Sequence, residues 1–285
     1  MTARPLTGRV PLLKTPPRSC DTHMHFYDKR FLAVPGTPSP PDASVEDYRK
    51  VMDWLGIERL VGVQPNAYGD DNALLMQAVA AFGPSARAVV VVKPGVGDDE
   101  LQRLTEGGAR AFRCMNLLGG TLGLADLPEM AAAVQPFGWH AIVQLDGRQL
   151  PDYEAMLTRL PGRFIIDHVG KFLEPVETDH AAFKSLLRLV DTGRCWVKLS
   201  AAYETSKTGA PDYEDVGRLA KALVSAAPER MLWASNWPHA QADKFGYPDD
   251  VRLLDLLLDW APDEQVRHKI LVSNPEELYG FDGAR

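Results

Sequence analysis

His23-Met24-His25 sets two imidazoles two residues apart. In an extended strand such residues share one face, so both rings can converge on one point. Imidazole exchanges a proton near neutral pH and also ligates transition metals, so the pair suits acid/base chemistry or a metal centre. A second cluster lies in Ile165-Ile166-Asp167-His168-Val169-Gly170-Lys171, where an apolar run gives way to an acid, an imidazole and an amine. A third is Ser235-Asn236-Trp237-Pro238-His239, whose histidine is a further proton-transfer group or a surface residue. The blander alternatives for the first two clusters are satisfied core histidines and an Asp167 that caps nearby backbone.

Arg113, Gln144 and Lys198 are long polar side chains inside otherwise apolar runs. Buried without partners they would be unfavourable. Turned inward, Arg113 and Lys198 suit a carboxylate or a developing oxyanion; turned outward, they make contacts between layers, and both orientations stay open. Tyr68, Asp70, Asp71, Lys171 and Tyr203 fall in connecting stretches, as substrate contacts or as solvated loop residues.

The elements that must position these groups alternate along the whole chain. Strand-like runs fall at Ser19 to His25, Arg59 to Pro65, Ala86 to Val92, Ala109 to Met115, Trp139 to Leu145, Arg163 to His168, Cys195 to Leu199 and Met231 to Ser235. Several are apolar without alternation, as in parallel strands buried on both faces. Helical periods lie between them: Leu74, Leu75, Ala78, Val79 and Phe82 share one face of a helix from about Asp71 to Phe82. Ser44 stands where it can cap a helix, with Glu46 and Asp47 in the first turn and Gly56 as the stop. Strand then helix, eight times over, predicts a (β/α)8 barrel, the TIM-barrel architecture, as one domain over residues 19–285 after an N-terminal extension of residues 1–18. An open doubly wound sheet would use the same alternation, but it calls for a Gly-rich phosphate turn where this chain has Phe26-Tyr27-Asp28.

Loop lengths indicate the working face. Helix-to-strand links such as Phe137-Gly138 and Pro161-Gly162 are brief, whereas strand-to-helix stretches 26–43, 116–126, 169–180, 200–212 and 236–247 are long. Ligand groups therefore belong at the carboxyl ends of the strands. The Pro-rich stretch 31–41 reads as a stiff covering loop.

A net charge of -7 gives no basic footprint for nucleic acid or an anionic membrane surface. No apolar run approaches the ~20 residues that span a bilayer, and the opening segment has no signal-like apolar core. Cys20, Cys114 and Cys195 lie within or beside apolar runs and are too few for a disulfide framework, which fits a reduced, cytoplasmic setting. A small soluble molecule is the expected partner, and homo-oligomerisation stays open.

Five segments in order resemble the amidohydrolase superfamily, specifically its lactone-processing branch of lactonases and lactone isomerases. They are Asp21-Thr22-His23-Met24-His25, Asp167-His168-Val169-Gly170-Lys171, Val197-Lys198-Leu199-Ser200, Asn236-Trp237-Pro238-His239 and the closing Ile270 to Phe281. Metal-dependent members use the strand-one histidines, a Lys or Glu on strand four, histidines on strands five and six, and an Asp after strand eight. Here Arg113, Gln144 and Asn236 stand at three of those places. His23, His25 and His168 remain as three imidazoles able in principle to hold zinc, but the anionic ligand is lost and Arg113, if it turns inward, adds a repelling charge, so no metal and no other cofactor is expected.

An amide at position 236 cannot take a proton from water, which disfavours ordinary hydrolysis. The resemblance therefore implies metal-independent conversion of a 1,5-lactone to a 1,4-lactone, on a small sugar-acid lactone bearing a carboxylate. His168 is the first acid or base, with His23, His25 and His239 in reserve and Asn236 beside them. Arg113 and Lys198 would hold the carboxylate and carbonyl oxygen, with Gln144, Asp167, Lys171, Tyr203 and Tyr68 around the substrate. The alternatives are a lactone hydrolase in which His239 activates water, and a non-catalytic binding barrel.

Overall fold

The apolar runs form strands β1 (Cys20–Met24), β2 (Arg59–Val63), β3 (Ala86–Val90), β4 (Ala109–Met115), β5 (His140–Gln144), β6 (Phe164–Ile166), β7 (Cys195–Leu199) and β8 (Met231–Trp233). The structure is a computed structural model that describes residues 4–37, 41–240, 242 and 246–281. Each strand pairs in parallel with the next, in the order β1 to β8. The seam between β8 and β1 is bridged by Asn236 N–H to His23 O at 2.9 Å and His25 N–H to Trp237 O at 2.8 Å. Buried Asp21 ties it further, accepting from Ser235 N at 3.1 Å and from the Tyr48 hydroxyl at 2.6 Å. The expected (β/α)8 barrel is thus the observed one.

Helices cover the outside: α1 (Val45–Leu55), α2 (Ala73–Phe82), α3 (Asp98–Glu106), α4 (Leu127–Val134), α5 (Leu150–Arg159), α6 (Ala181–Asp191), α7 (Glu214–Ala226), α8 (Asp250–Trp260), α9 (Glu264–His268) and α10 (Asn274–Tyr279). Helix α1 starts as its sequence dictates: Ser44 and Asp47 form a reciprocal capping box, and Gly56 ends it at φ +71°. Helix α2 begins at Ala73 because Asp71 is used outside it, its carboxylate accepting from Ala73 N at 3.0 Å.

Val61, Val63, Val89, Ala111, Ile142, Ile165, Trp196 and Leu232 fill the barrel interior, and Leu278, Tyr279 and Phe281 close it from the amino end of the strands. The closing segment is a plug. Asn274 donates to Met231 O at 2.7 Å and Glu276 pairs with Arg59 at 2.5 Å. The N-terminal extension lies along α8, where Asp255 accepts from Leu12 N at 2.9 Å and Leu13 N at 3.0 Å. The Pro-rich loop covers the β2 end through Val34 N–H to Ala67 O at 2.7 Å; its residues 38–40 lie outside the described residues. Among the described residues no helix is long and apolar enough to cross a membrane.

Strands β6 and β8 stop at Ile166 and Trp233, short of the sequence expectation of His168 and Ser235. The backbone turns left-handed just beyond: φ is +54° at His168, +55° at Val169, +49° at Lys171, +61° at Asn236 and +60° at His239. Such turns end a ladder and redirect side chains at the rim.

Candidate active site

The site is built on an apolar floor by residues at the strand ends. Register slips between β1 and β2 from Asp21 to Met24, which leaves Met24 in the outer layer while His23 and His25 face the interior with rings 4.9 Å apart. The same slip sends Asp21 out to Tyr48 and the seam. His25 Nδ1 donates to Val63 O at 2.7 Å; a carbonyl can only accept, so Nε2 keeps its lone pair. Burial first, then the Arg113 charge, push its pKa down to about 3.

His23 is fully buried, with Nδ1 3.1 Å from Lys198 Nζ and 3.3 Å from Asp167 Oδ1, and Nε2 without a protein partner. Burial and then Lys198 hold its pKa well below the usual range. Lys198 and Asp167, both fully buried, form an ion pair at 3.5 Å. Burial, opposed by Asp167, lowers the ammonium to about 8. Burial raises the carboxyl, but Lys198, His168 and Arg113 outweigh it and leave Asp167 below the ordinary carboxylate range.

Arg113 points inward, donating to Gln64 O at 3.0 Å and to Gln144 Oε1 at 2.7 Å. Gln144 therefore orients a cation. His168 Nδ1 meets the Ser200 hydroxyl at 2.8 Å, and its ring lies 4.9 Å from His23. Burial keeps this imidazole, too, well below its usual pKa.

At the mouth, Lys171 pairs closely with Glu204 and burial lowers its pKa to about 8. Asn236 Nδ2 donates to Glu204 Oε1 at 2.9 Å and to the Tyr203 hydroxyl at 2.8 Å. That hydroxyl also meets His239 Nδ1 at 2.9 Å, and His239 Nε2 meets Asp250 Oδ1 at 2.9 Å. His239 is 2% exposed, which removes the surface alternative.

Three sequence expectations end elsewhere, Asp71 among them at the start of α2. The Tyr68 hydroxyl is committed to the backbone of Asp28, 2.9 Å from N and 3.0 Å from O, so it braces the β1 loop. Asp70 pairs with Lys93 at the surface at 2.8 Å. Conversely, Gln64, Ser200, Glu204 and Asp250 join the site without having been singled out. Asp249 caps α8, accepting from Arg252 N at 3.1 Å, while its neighbour Asp250 turns to His239.

The sequence profile described as amidohydrolase matches residues 20–281. The chain belongs to the amidohydrolase family. It is similar to a D-galactarolactone isomerase of Agrobacterium fabrum, 38% identical over 97% of this chain and 96% of that one. A 4-sulfomuconolactone hydrolase of Hydrogenophaga intermedia is 35% identical over 93% of this chain and 89% of its own. An apo crystal structure from Agrobacterium tumefaciens superposes with a TM-score of 0.94 at 38% identity, covering 99% of this chain and 100% of that one.

The site brings together one set of metal-type donors among the described residues, His23, Asp167 and His168, whose donor atoms all lie within 4.8 Å of one another. The set does not fit a resident dication. Lys198 Nζ already lies against both His23 and Asp167, and Arg113 adds a second cation to a cage with one carboxylate.

Backbone strain is concentrated here as well. Among the described residues, His168, Val169, Lys171, Ala201, Tyr213, Asn236 and His239 have positive φ beyond the ends of β6, β7 and β8, and Arg18 is the other non-glycine residue that does. Such conformations cost about 1–3 kcal/mol each and persist where the surroundings over-determine them.

Proposed function

We propose that this barrel isomerises the lactone of a sugar acid, moving the ester from a six- to a five-membered ring without a metal or cofactor. The observation that carries the reading is the amide of Asn236, held by Glu204 and Tyr203 at the β8 position where a hydrolytic relative would activate water. In isomerisation the nucleophile is the substrate's own hydroxyl. Proximity then supplies what water activation would, with effective molarities up to about 10⁵–10⁸ M in well-oriented systems.

The reaction needs a proton acceptor, a proton donor and cations facing the developing oxyanion. His168, neutral and oriented by Ser200, is the first proton-transfer group. Lys198 and Arg113 suit the carbonyl oxygen and the substrate carboxylate, and their excess over Asp167 favours a small anionic lactone. The names of the relatives support lactone chemistry. Three buried free thiols, Cys20, Cys114 and Cys195, agree with a reducing cytoplasm.

The test is proton NMR of metal-stripped protein with freshly made 1,5-lactones of galactaric and glucaric acids, with pH recorded alongside. Growth of the 1,4-lactone without acid release supports the reading. Catalysed growth of the open-chain acid favours the second reading, a lactone hydrolase in which His239, backed by Asp250, activates water. Silence across the panel leaves a binding barrel.

A further inference from the structure

The hydrogen-bond chain at the mouth has a polarity that its two ends determine. At one end the Asp250 carboxylate can only accept, so His239 Nε2 supplies the proton of that contact, and a neutral ring then leaves Nδ1 its lone pair. At the other end Glu204, paired with Lys171, can only accept, so the atom of Asn236 that faces it is the NH2 group. The same NH2 faces the Tyr203 oxygen, which must therefore accept from it. Among the protein partners of that hydroxyl, His239 Nδ1 is then the acceptor left for the phenolic proton. Read in order, Asn236 donates to Tyr203, Tyr203 to His239 and His239 to Asp250.

We infer that Tyr203 is a catalytic residue: its oxygen takes the proton of the attacking substrate hydroxyl while its own proton passes to His239. This rests on the lactone-isomerase reading and deepens it by separating the two proton-transfer roles. The step balances. As the substrate O–C bond forms, the hydroxyl proton moves to the Tyr203 oxygen, the phenolic proton moves to His239 Nδ1, and the resulting imidazolium faces the Asp250 carboxylate. As the old C–O bond breaks, His168 passes its Nε2 proton to the departing ring oxygen while the Ser200 hydroxyl hands its proton to Nδ1, so the ring stays neutral; solvent then reprotonates Ser200 and takes the proton from His239.

Three observations favour Tyr203 in that place. It follows β7, the strand beside that of His168, and the residue is half-buried at the mouth, where its oxygen keeps a second lone pair beyond the one facing Asn236. Asn236, which donates to it, also anchors to the strand of the histidine pair through N–H to His23 O at 2.9 Å. The Tyr203 and His239 rings meet edge to face at 5.2 Å, which holds the phenol against the imidazole. The polarity also explains the amide: an aspartate at 236 could not donate to Tyr203 and would face Glu204 with like charge.

The experiment combines kinetics with a readout that needs no turnover. Tyr203→Phe should lower kcat about 10²–10³-fold with KM within about threefold, as for loss of one general base. Asp250→Asn should lower kcat on its own, and the double variant should be no slower than Tyr203→Phe alone, because the groups act as a unit. In ¹⁵N-histidine spectra, the signal lost in His239→Gln should report the Nε2–H tautomer in the parent and switch to Nδ1–H in Asp250→Asn. A parent Nδ1–H tautomer, near-normal kcat in Tyr203→Phe, or multiplying effects in the double variant would overturn the relay while leaving lactone turnover standing. A parent that turns over no lactone would remove both the isomerase reading and the proton role of Tyr203.

Discussion

Asp167→Asn removes the one carboxylate that faces Lys198 and Arg113 across the cage. At 3.5 Å and an effective dielectric of about 20, the lost attraction on Lys198 is about 5 kcal/mol, or more than three pKa units. The ammonium, already lowered to about 8 by burial, should then titrate near 5. The sign follows from proton binding. A lysine whose folded pKa lies below its unfolded value binds fewer protons in the folded state between the two, so stability rises with pH over that window. The window opens near pH 8 in the parent and near pH 5 in the variant. Stability of the variant relative to the parent should therefore climb by about 4 kcal/mol between pH 5 and 8. Lys171, whose ammonium also feels Asp167, shifts in the same direction. Urea unfolding of both proteins across that pH range measures the difference directly. His25, lowered to about 3, is neutral in the folded state throughout and is common to both curves. A difference flat to within about 1 kcal/mol would refute the claim that Asp167 keeps Lys198 charged.

Arg113→Met should raise KM for a carboxylate-bearing lactone by about 10–150-fold, the equivalent of one charge-assisted hydrogen bond of about 1.5–3 kcal/mol, and leave a neutral lactone nearly unaffected. Steady-state kinetics on the two substrates check it, and equal losses on both would count against a carboxylate partner. Asn236→Asp sets a carboxylate where Nδ2 now lies 2.9 Å from Glu204 Oε1. One of the pair should then hold a proton at neutral pH, and isomerisation should fall about 100-fold with no gain in hydrolysis. NMR product analysis decides, and rapid acid release by this variant would show that the site was one substitution from a hydrolase. Asp255→Ala should free residues Arg9 to Leu13, which now bind its carboxylate at 2.9–3.0 Å. The expected effect is a loss of about 1–3 kcal/mol and faster proteolysis near the N-terminus, at unchanged KM.

The barrel was legible in the sequence because strand and helix periods are local. Val-rich runs such as Ala86–Val90 form strands wherever they are buried on both faces, and Ser44 and Gly56 bound a helix by their own backbone chemistry. The His23 and His25 pair was legible for the same reason, since spacing by two settles a shared face within one strand. Which way that face points was not. Arg113 and Lys198 could equally have turned outward, and only barrel closure, with the register slip in β1, brings them onto Asp167 and His23. Tyr68 shows the converse, a loop tyrosine that a neighbouring loop's backbone claims. The relay through Asn236, Tyr203, His239 and Asp250 was beyond reach because its members come from three loop and helix ends joined by left-handed turns. Periodicity determines what a residue shares with its neighbours in the chain; contacts between ends of different elements exist only once the strands have closed into a ring.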